Sequence, residues 1–322
     1  MRKIAILGAQ LFEGQRELQL FQSMNMEAVY YTCRDPLEIV DKLADVDGLL
    51  VNLEPVTAQL IHHLGNLKVI GRYGVGVDNI DLEACSGRGV AVINVPDYCI
   101  EEVAEHAVSF IFSLNRKLFT SSNLTRKGIW GNVSVLKPIY PIKDITLGVV
   151  GTGRIGMRVI QMMTAFGTNI IVHDPYLTQD DLPSGVKLVS FGQLLEASDI
   201  ITIHCPLTPQ THHLFNTEAF RRMKQQPSLI NVSRGSIINE QQLLAALDQE
   251  LVSFAAVDVM ETEPPLPDHP LLHHPKAIVT NHMAWYSVQA EIKLRDLLTT
   301  RVIDYLNGKP VPSIVNKPAI EK

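Results

Sequence analysis

The run Leu147-Gly148-Val149-Val150-Gly151-Thr152-Gly153-Arg154-Ile155-Gly156 joins an apolar strand pattern, Thr146–Val150, to a helical pattern, Met157–Phe166. Its glycines are spaced G-x-G-x-x-G. Gly151 permits a tight turn, Gly153 lets backbone approach a pyrophosphate, and Gly156 lets the helix pack close on the strand. Arg154 and Ile155 belong to this cofactor-binding loop, and the positive N-terminus of the helix that follows would carry the pyrophosphate. Eighteen residues after Gly156, at the end of the next strand pattern, stands Asp174. A carboxylate there accepts hydrogen bonds from a ribose diol and repels a 2′-phosphate. Strand, turn, helix and acid together predict a dinucleotide site, for NAD rather than NADP.

Outward from this unit the same alternation recurs. Apolar stretches rich in β-branched residues stand at Ile4–Leu7, Gly48–Asn52, Val69–Ile70, Val90–Asn94, Thr146–Val150, Asn169–His173, Ile200–His204, Ser228–Val232, Phe254–Val257 and Ala277–Thr280. Several are apolar throughout, as strands of a parallel sheet covered on both faces are. Long helical patterns run over Glu101–Leu118 and Ser287–Asn307, and Gly128–Lys143 reads as an irregular loop. The fold class is α/β with doubly wound parallel sheets. About 145 residues precede the glycine loop, enough for a complete α/β domain ahead of it.

The bulk properties agree. The chain has 322 residues, 46% hydrophobic and 19% charged, with 28 basic against 34 acidic residues. That composition suits two globular domains, and the net charge of −6 with no basic cluster gives neither nucleic acid nor an anionic membrane a footprint. The four cysteines (Cys33, Cys85, Cys99 and Cys205) are scattered, without metal-ligand spacing, so no metal is expected. The apolar run after Met1 is too short for a signal sequence, and no stretch is long enough to span a bilayer. A cytoplasmic location is the expectation.

Further motifs follow in order: Gly71-Arg72-Tyr73-Gly74-Val75-Gly76-Val77-Asp78-Asn79-Ile80-Asp81, Val103-Ala104-Glu105-His106, His204-Cys205-Pro206-Leu207-Thr208, Asn231-Val232-Ser233-Arg234-Gly235, Asp258-Val259-Met260-Glu261-Thr262-Glu263-Pro264 and His282-Met283-Ala284-Trp285-Tyr286-Ser287. With the glycine loop they resemble the D-isomer-specific 2-hydroxyacid dehydrogenase family from about Leu67 to Asn307. Arg72 and the His-x-Ala-Trp-Tyr-Ser ending look most like the C-terminal binding protein branch and its D-glycerate dehydrogenase-like relatives. Ser233 and Asn281 depart from the family's usual Ala and Pro. The resemblance implies a flavodoxin-like substrate domain, residues 1–100 plus 285–322, with a Rossmann NAD domain, residues 101–284, inserted into it. It also implies a homodimer acting on a small 2-keto or 2-hydroxy acid. An NAD-sensing, corepressor-like dimeric interaction protein is the alternative. Glu263 stands where formate dehydrogenase has a glutamine.

The chemistry supports these assignments. Arg234, just after a strand pattern, has the planar charged fork to hold a carboxylate and polarise a carbonyl. His282, also at a strand end, is the candidate acid. By the resemblance Glu263 holds its imidazole, Glu261 is a solvated neighbour and Asp258 meets the nicotinamide carboxamide. Arg72, the backbone N–H groups of Val75 and Gly76, and Trp285 would complete the substrate grip. Cys205, Pro206 and Thr208 would add cofactor contacts. The remaining pairs His62-His63, His212-His213 and His273-His274 read as surface residues.

Overall fold

The computed structural model describes residues 1–7, 15–131 and 133–318. In chain order the elements are β1 (Lys3–Ile6), α1 (Arg16–Ser23), β2 (Glu27–Tyr30), α2 (Val40–Leu43), β3 (Gly48–Val51), α3 (Ala58–His63), β4 (Val69–Arg72), α4 (Leu82–Gly87), β5 (Ala91–Ile93), α5 (Ile100–Asn115), α6 (Leu118–Arg126), β6 (Thr146–Val150), α7 (Arg154–Ala165), β7 (Asn169–His173), β8 (Lys187–Leu188), α8 (Phe191–Ala197), β9 (Ile200–Ile203), α9 (Thr217–Arg221), β10 (Ser228–Asn231), α10 (Glu240–Asp248), β11 (Phe254–Val257), α11 (Pro270–His273), β12 (Ala277–Val279) and α12 (Val288–Leu306). They form two compact units, Met1–Cys99 with Ser287–Lys322, and Ile100–Tyr286.

The first unit is a five-stranded parallel sheet in the order β2-β1-β3-β4-β5, the flavodoxin-like winding. β3 and β4 are buried at every position. Leu49, Ile70 and Val92 share a core with Leu60, Ile61 and Leu64 around α3. α12 opens at Ser287, whose hydroxyl accepts from the Ala290 N–H. It packs close on β4: a β-carbon on Gly71 would stand 2.9 Å from Val302. After α12 the chain covers the sheet edge. Ile314 bridges Ile93 antiparallel, and Asn316 bonds the Val92 N–H and the Val90 carbonyl.

The second unit is a seven-stranded parallel sheet in the order β12-β11-β10-β9-β6-β7-β8. The direction of winding reverses between β6 and β9. In open α/β sheets ligands bind beyond the carboxyl ends of the strands at that reversal. α5 packs against α7, β10 and β11.

All ten expected strands form. The two unforeseen ones, β2 and β8, are the outer strands of their sheets. β2 alternates exposed and half-buried positions, and β8 has two residues, so neither reads as a strand covered on both faces. The long helix foreseen over Glu101–Leu118 is broken by left-handed backbone at Lys117 (φ 51°) and continues as α6. The loop at 128–143 contains short 3-10 turns at Val133–Leu136 and Ile142–Asp144. Phe110, Ile111 and Leu114 of α5 are buried within the chain. The exposed apolar surface lies instead just beyond, at Leu118, Ile129, Val133, Val135 and Trp130, which is 85% exposed. No helix among the described residues is long and apolar enough to cross a membrane.

Candidate active site

At the reversal the glycine loop meets the end of β9. Gly151 has φ +87°, and a β-carbon on it would stand 2.5 Å from the Cys205 nitrogen, so only glycine fits. A β-carbon on Gly156 would stand 2.2 Å from the Gly151 carbonyl oxygen. Gly153, by contrast, faces open space and begins α7 without any side-chain cap. The first N–H groups of α7, from Arg154 onward, thus start a helix whose positive end has room for an anion.

Asp174 closes the other side. Its Oδ2 accepts from the N–H and the hydroxyl of Thr152, both at 2.8 Å, and its Oδ1 accepts from the Tyr176 N–H. Burial alone would raise its pKa, but these donors outweigh burial and hold the carboxyl below the usual range. Thr152, the variable position inside the glycine motif, therefore ties the loop to the acid. A pyrophosphate over Gly153 and a ribose diol at Asp174 suit this arrangement, so the residues present fit a dinucleotide. Nearby, the Cys205 carbonyl is taken by the Ser233 hydroxyl at 2.5 Å, and the Pro206 carbonyl by Thr211. The Thr208 hydroxyl pairs with that of Thr211. Burial pushes the Cys205 thiol up to about 11, which keeps it unreactive.

Arg234 follows β10. The buried Asn231 side chain accepts from the Ser233 N–H and donates to the Arg234 carbonyl, fixing the turn that presents the guanidinium. Gly235 lies against the peptide between Met260 and Glu261, where a β-carbon would be 2.0 Å from the Met260 carbonyl carbon. That close approach brings the Arg234 turn to the loop carrying Glu263. Glu261 is not the solvated neighbour expected. Its carboxylate accepts from the Glu240 N–H, and its own N–H donates to the Glu240 carboxylate. The pair locks the start of α10 to the Glu263 loop.

Glu263 and His282 meet: Nδ1 of the imidazole lies 2.6 Å from Glu263 Oε2, with the side chains 24% and 31% exposed. The other oxygen, Oε1, accepts from the Met260 N–H. Partial burial opposes ionisation of Glu263. The His282 bond, the Met260 N–H and the Arg234 charge overcome it and lower its pKa. The His282 backbone is left-handed (φ 53°), a conformation that sequence patterns do not announce.

Asp258 sustains that conformation. Its backbone carbonyl accepts from the His282 N–H, Oδ1 accepts from Met283 N–H and the Thr280 hydroxyl, and Oδ2 accepts from Ala284 N–H. The residue is 1% exposed. A carboxamide contact would come on top of these bonds. Behind it, His106 of α5 lies 3.3 Å from the Thr280 hydroxyl, a contact absent from the sequence reading.

In the first unit, Arg72 ends β4, is 7% exposed, and folds back so tightly that a β-carbon on Gly74 would overlap its guanidinium. Val75 is exposed and Gly76 half-buried. In the second unit, Trp285 packs edge-on against Tyr286 at 5.5 Å. The histidine pairs are less bland than expected: His213 lies 3.4 Å from Glu261, and His274 3.4 Å from Asp248. Among the described residues no three His, Cys, Asp or Glu side chains group as a metal site. A cleft of about 380 Å³ lined by Thr217, Phe220, Gln242 and Leu251 shares no residue with this set.

Comparison with known proteins accords with this geometry. Residues 108–284 match the family model of the D-isomer specific 2-hydroxyacid dehydrogenase NAD binding domain. A glyoxylate reductase of Thermofilum pendens is 33% identical over 294 residues, covering 88% of this chain and 85% of that protein. The chain belongs to the D-isomer specific 2-hydroxyacid dehydrogenase family. A D-3-phosphoglycerate dehydrogenase of Bacillus subtilis is 39% identical over 285 residues, 88% of this chain but 54% of that protein. The chain thus spans about half the length of the curated phosphoglycerate dehydrogenases it matches. Among solved structures, a D-lactate dehydrogenase of Aquifex aeolicus, complexed with NAD and lactic acid, superposes with a TM-score of 0.85 at 27% identity, covering 95% of this chain and 96% of that one.

Proposed function

We propose that the chain is an NAD-dependent D-2-hydroxyacid dehydrogenase that interconverts a small 2-keto acid and its D-2-hydroxy acid. The observation that carries this reading is the 2.6 Å pair of His282 and Glu263, with Glu263 under the charge of Arg234. Glu263 accepts at Nδ1, which leaves Nε2 of the imidazole as the atom that delivers a proton to the nascent alkoxide, or takes it back. Arg234 holds the substrate carboxylate and polarises the carbonyl. When bound, the reduced nicotinamide supplies the hydride. The N-terminus of α7 and Asp174 hold the cofactor and select NAD. The unit Ile100–Tyr286 serves as the cofactor domain. The unit Met1–Cys99 with Ser287–Lys322 serves as the substrate domain, in which Arg72 and the backbone at Val75 and Gly76 add to the grip, while Trp285, at the end of the other unit, walls the site.

The exposed apolar residues Leu118, Ile129, Trp130, Val133 and Val135 fit a second copy of the chain. Light scattering should give twice the 35.8 kDa of one chain. Four free thiols suit the cytoplasm.

The test is turnover of NADH with glyoxylate, hydroxypyruvate, pyruvate and bulkier 2-keto acids. Reduction of at least one, with kcat lowered about a hundredfold or more in His282→Ala and NADH affinity kept, is the expected outcome. NADH binding without turnover of any keto acid would leave the NAD-sensing interaction protein instead.

A further inference from the structure

Beneath the Arg72 loop lies a charged network in a setting where solvent does not reach. Glu17 of α1 is 0% exposed, and Arg295 of α12 is 4% exposed. They form a two-pronged pair, Nε to Oε1 and Nη2 to Oε2, both at 2.7 Å. Two tyrosine hydroxyls donate to the same carboxylate, Tyr30 to Oε2 at 2.6 Å and Tyr73 to Oε1 at 3.3 Å. Arg295 also reaches Glu291 at 3.3 Å. Four segments distant in sequence thus converge on one carboxylate.

Well-packed apolar side chains of like volume hold a fold as firmly as such a pair, because both ions must be stripped of water. A fully bonded polar network adds a single defined geometry. What that geometry could define is visible in the sequence. Tyr73 stands directly between Arg72 and Gly74, and along an extended chain successive side chains point to opposite sides. On one side the Arg72 guanidinium folds over Gly74, and on the other the fully buried Tyr73 ring runs down to Glu17. Backbone bonds from Tyr73 to Val51 and from Val95 to Gly74 fix the flanks of the loop.

We infer that Tyr73 is a positioning residue: moored on the Glu17–Arg295 pair, it sets the Arg72–Gly76 segment in the geometry that receives the substrate carboxylate. This rests on the reading of Arg72 and its loop as part of the substrate grip. Tyr30 supplies an internal control. Its hydroxyl makes the shorter bond to the same carboxylate but leads into β2, away from the loop.

The experiment compares Tyr73→Phe, Tyr30→Phe and Arg72→Ala in the full chain, measuring KM for the best keto acid, KM for NADH, kcat and Tm. Tyr73→Phe should raise the keto-acid KM about three- to tenfold with kcat and the NADH KM unchanged, because ground-state and transition-state grip weaken alike. Tyr30→Phe should lower Tm at least as much and leave the keto-acid KM alone. Equal KM effects in both variants, or none in Tyr73→Phe while Arg72→Ala raises KM, would overturn the inference and leave the grip standing. An Arg72→Ala variant with parental KM would overturn the grip, and the inference with it.

Discussion

Glu17 and Asp258 are two carboxylates nearly without solvent, one in each unit, and they are compensated in opposite ways. Glu17 faces a guanidinium, with tyrosine hydroxyls as supplements. Asp258 receives two backbone N–H groups and a threonine hydroxyl, and the nearest basic nitrogen, on His106, is 3.8 Å away. A cation balances charge between remote elements, so the Glu17 pair joins α1 to α12. Backbone dipoles balance charge within a loop, so Asp258 fixes successive peptides from 282 to 284. The first arrangement orders tertiary structure and the second orders a few atoms of one site. Glu263, shared between an imidazole and a peptide N–H, stands between them. Asp174, held by Thr152 and Tyr176, repeats the dipole solution nearer the surface.

The largest effect is expected from Arg295→Met, which leaves Glu17 buried without its cation and should cost about 3–5 kcal/mol at neutral pH. The pH dependence follows from sign. In the parent, burial pushes the Glu17 pKa up, but Arg295 and Tyr30 bring it below the ordinary value. The parental pair therefore stabilises above the ordinary carboxylate range and is lost as pH falls through the depressed value. Without Arg295, burial prevails, Glu17 takes a proton more readily, and the deficit in Tm should narrow as pH falls from 7 towards 5. A deficit constant over that range would show that the charge is not the cause.

Asp258→Asn comes next. Its amide sets an N–H against one of the peptide donors of the loop, which should lower kcat about tenfold while global stability changes less. A raised KM for NADH with unchanged kcat would instead make Asp258 chiefly a cofactor contact. Asp174→Ala should narrow the preference for NADH over NADPH by about tenfold in kcat/KM, or 1.4 kcal/mol. Equal use of both coenzymes by the parent would break that assignment. Smallest is the effect of Glu263→Gln, which exchanges a charged for a neutral partner of His282 Nδ1 and should lower kcat for reduction about three- to fivefold. A kcat equal to the parent's would separate Glu263 from the proton.

β3, β4 and β9 were legible because both of their faces are covered and their residues are mainly apolar. β2 escaped because it opens on Glu27 and no position of it is fully buried. Arg234 and His282 were legible from their places after strand patterns and Glu263 only from the motif it shares with the family, and the structure brings Glu263 and His282 into contact. The supports behind them were not. Glu17 and Arg295 are 278 positions apart, and nothing in either neighbourhood names the other. The Glu240–Glu261 lock pairs two like charges through their peptides, which a reading of side-chain charge treats as repulsion. The left-handed His282 depends on bonds from Asp258 that no local preference foretells.

The placement of α12 bears on the order in which the protein is made. The first unit is completed by residues from Ser287 onward, and the whole of the second unit, Ile100–Tyr286, is synthesised in between. At about 5–20 residues per second that interval lasts roughly 10–40 s. Throughout it the emerging β1–β5 segment holds Glu17 without the guanidinium it is to be buried with, and β4 without the helix that packs beside Gly71. The contiguous second unit can close first, on its own contacts. On the ribosome residues 1–99 therefore wait for residues 287–306, which are made only after the whole of the second unit.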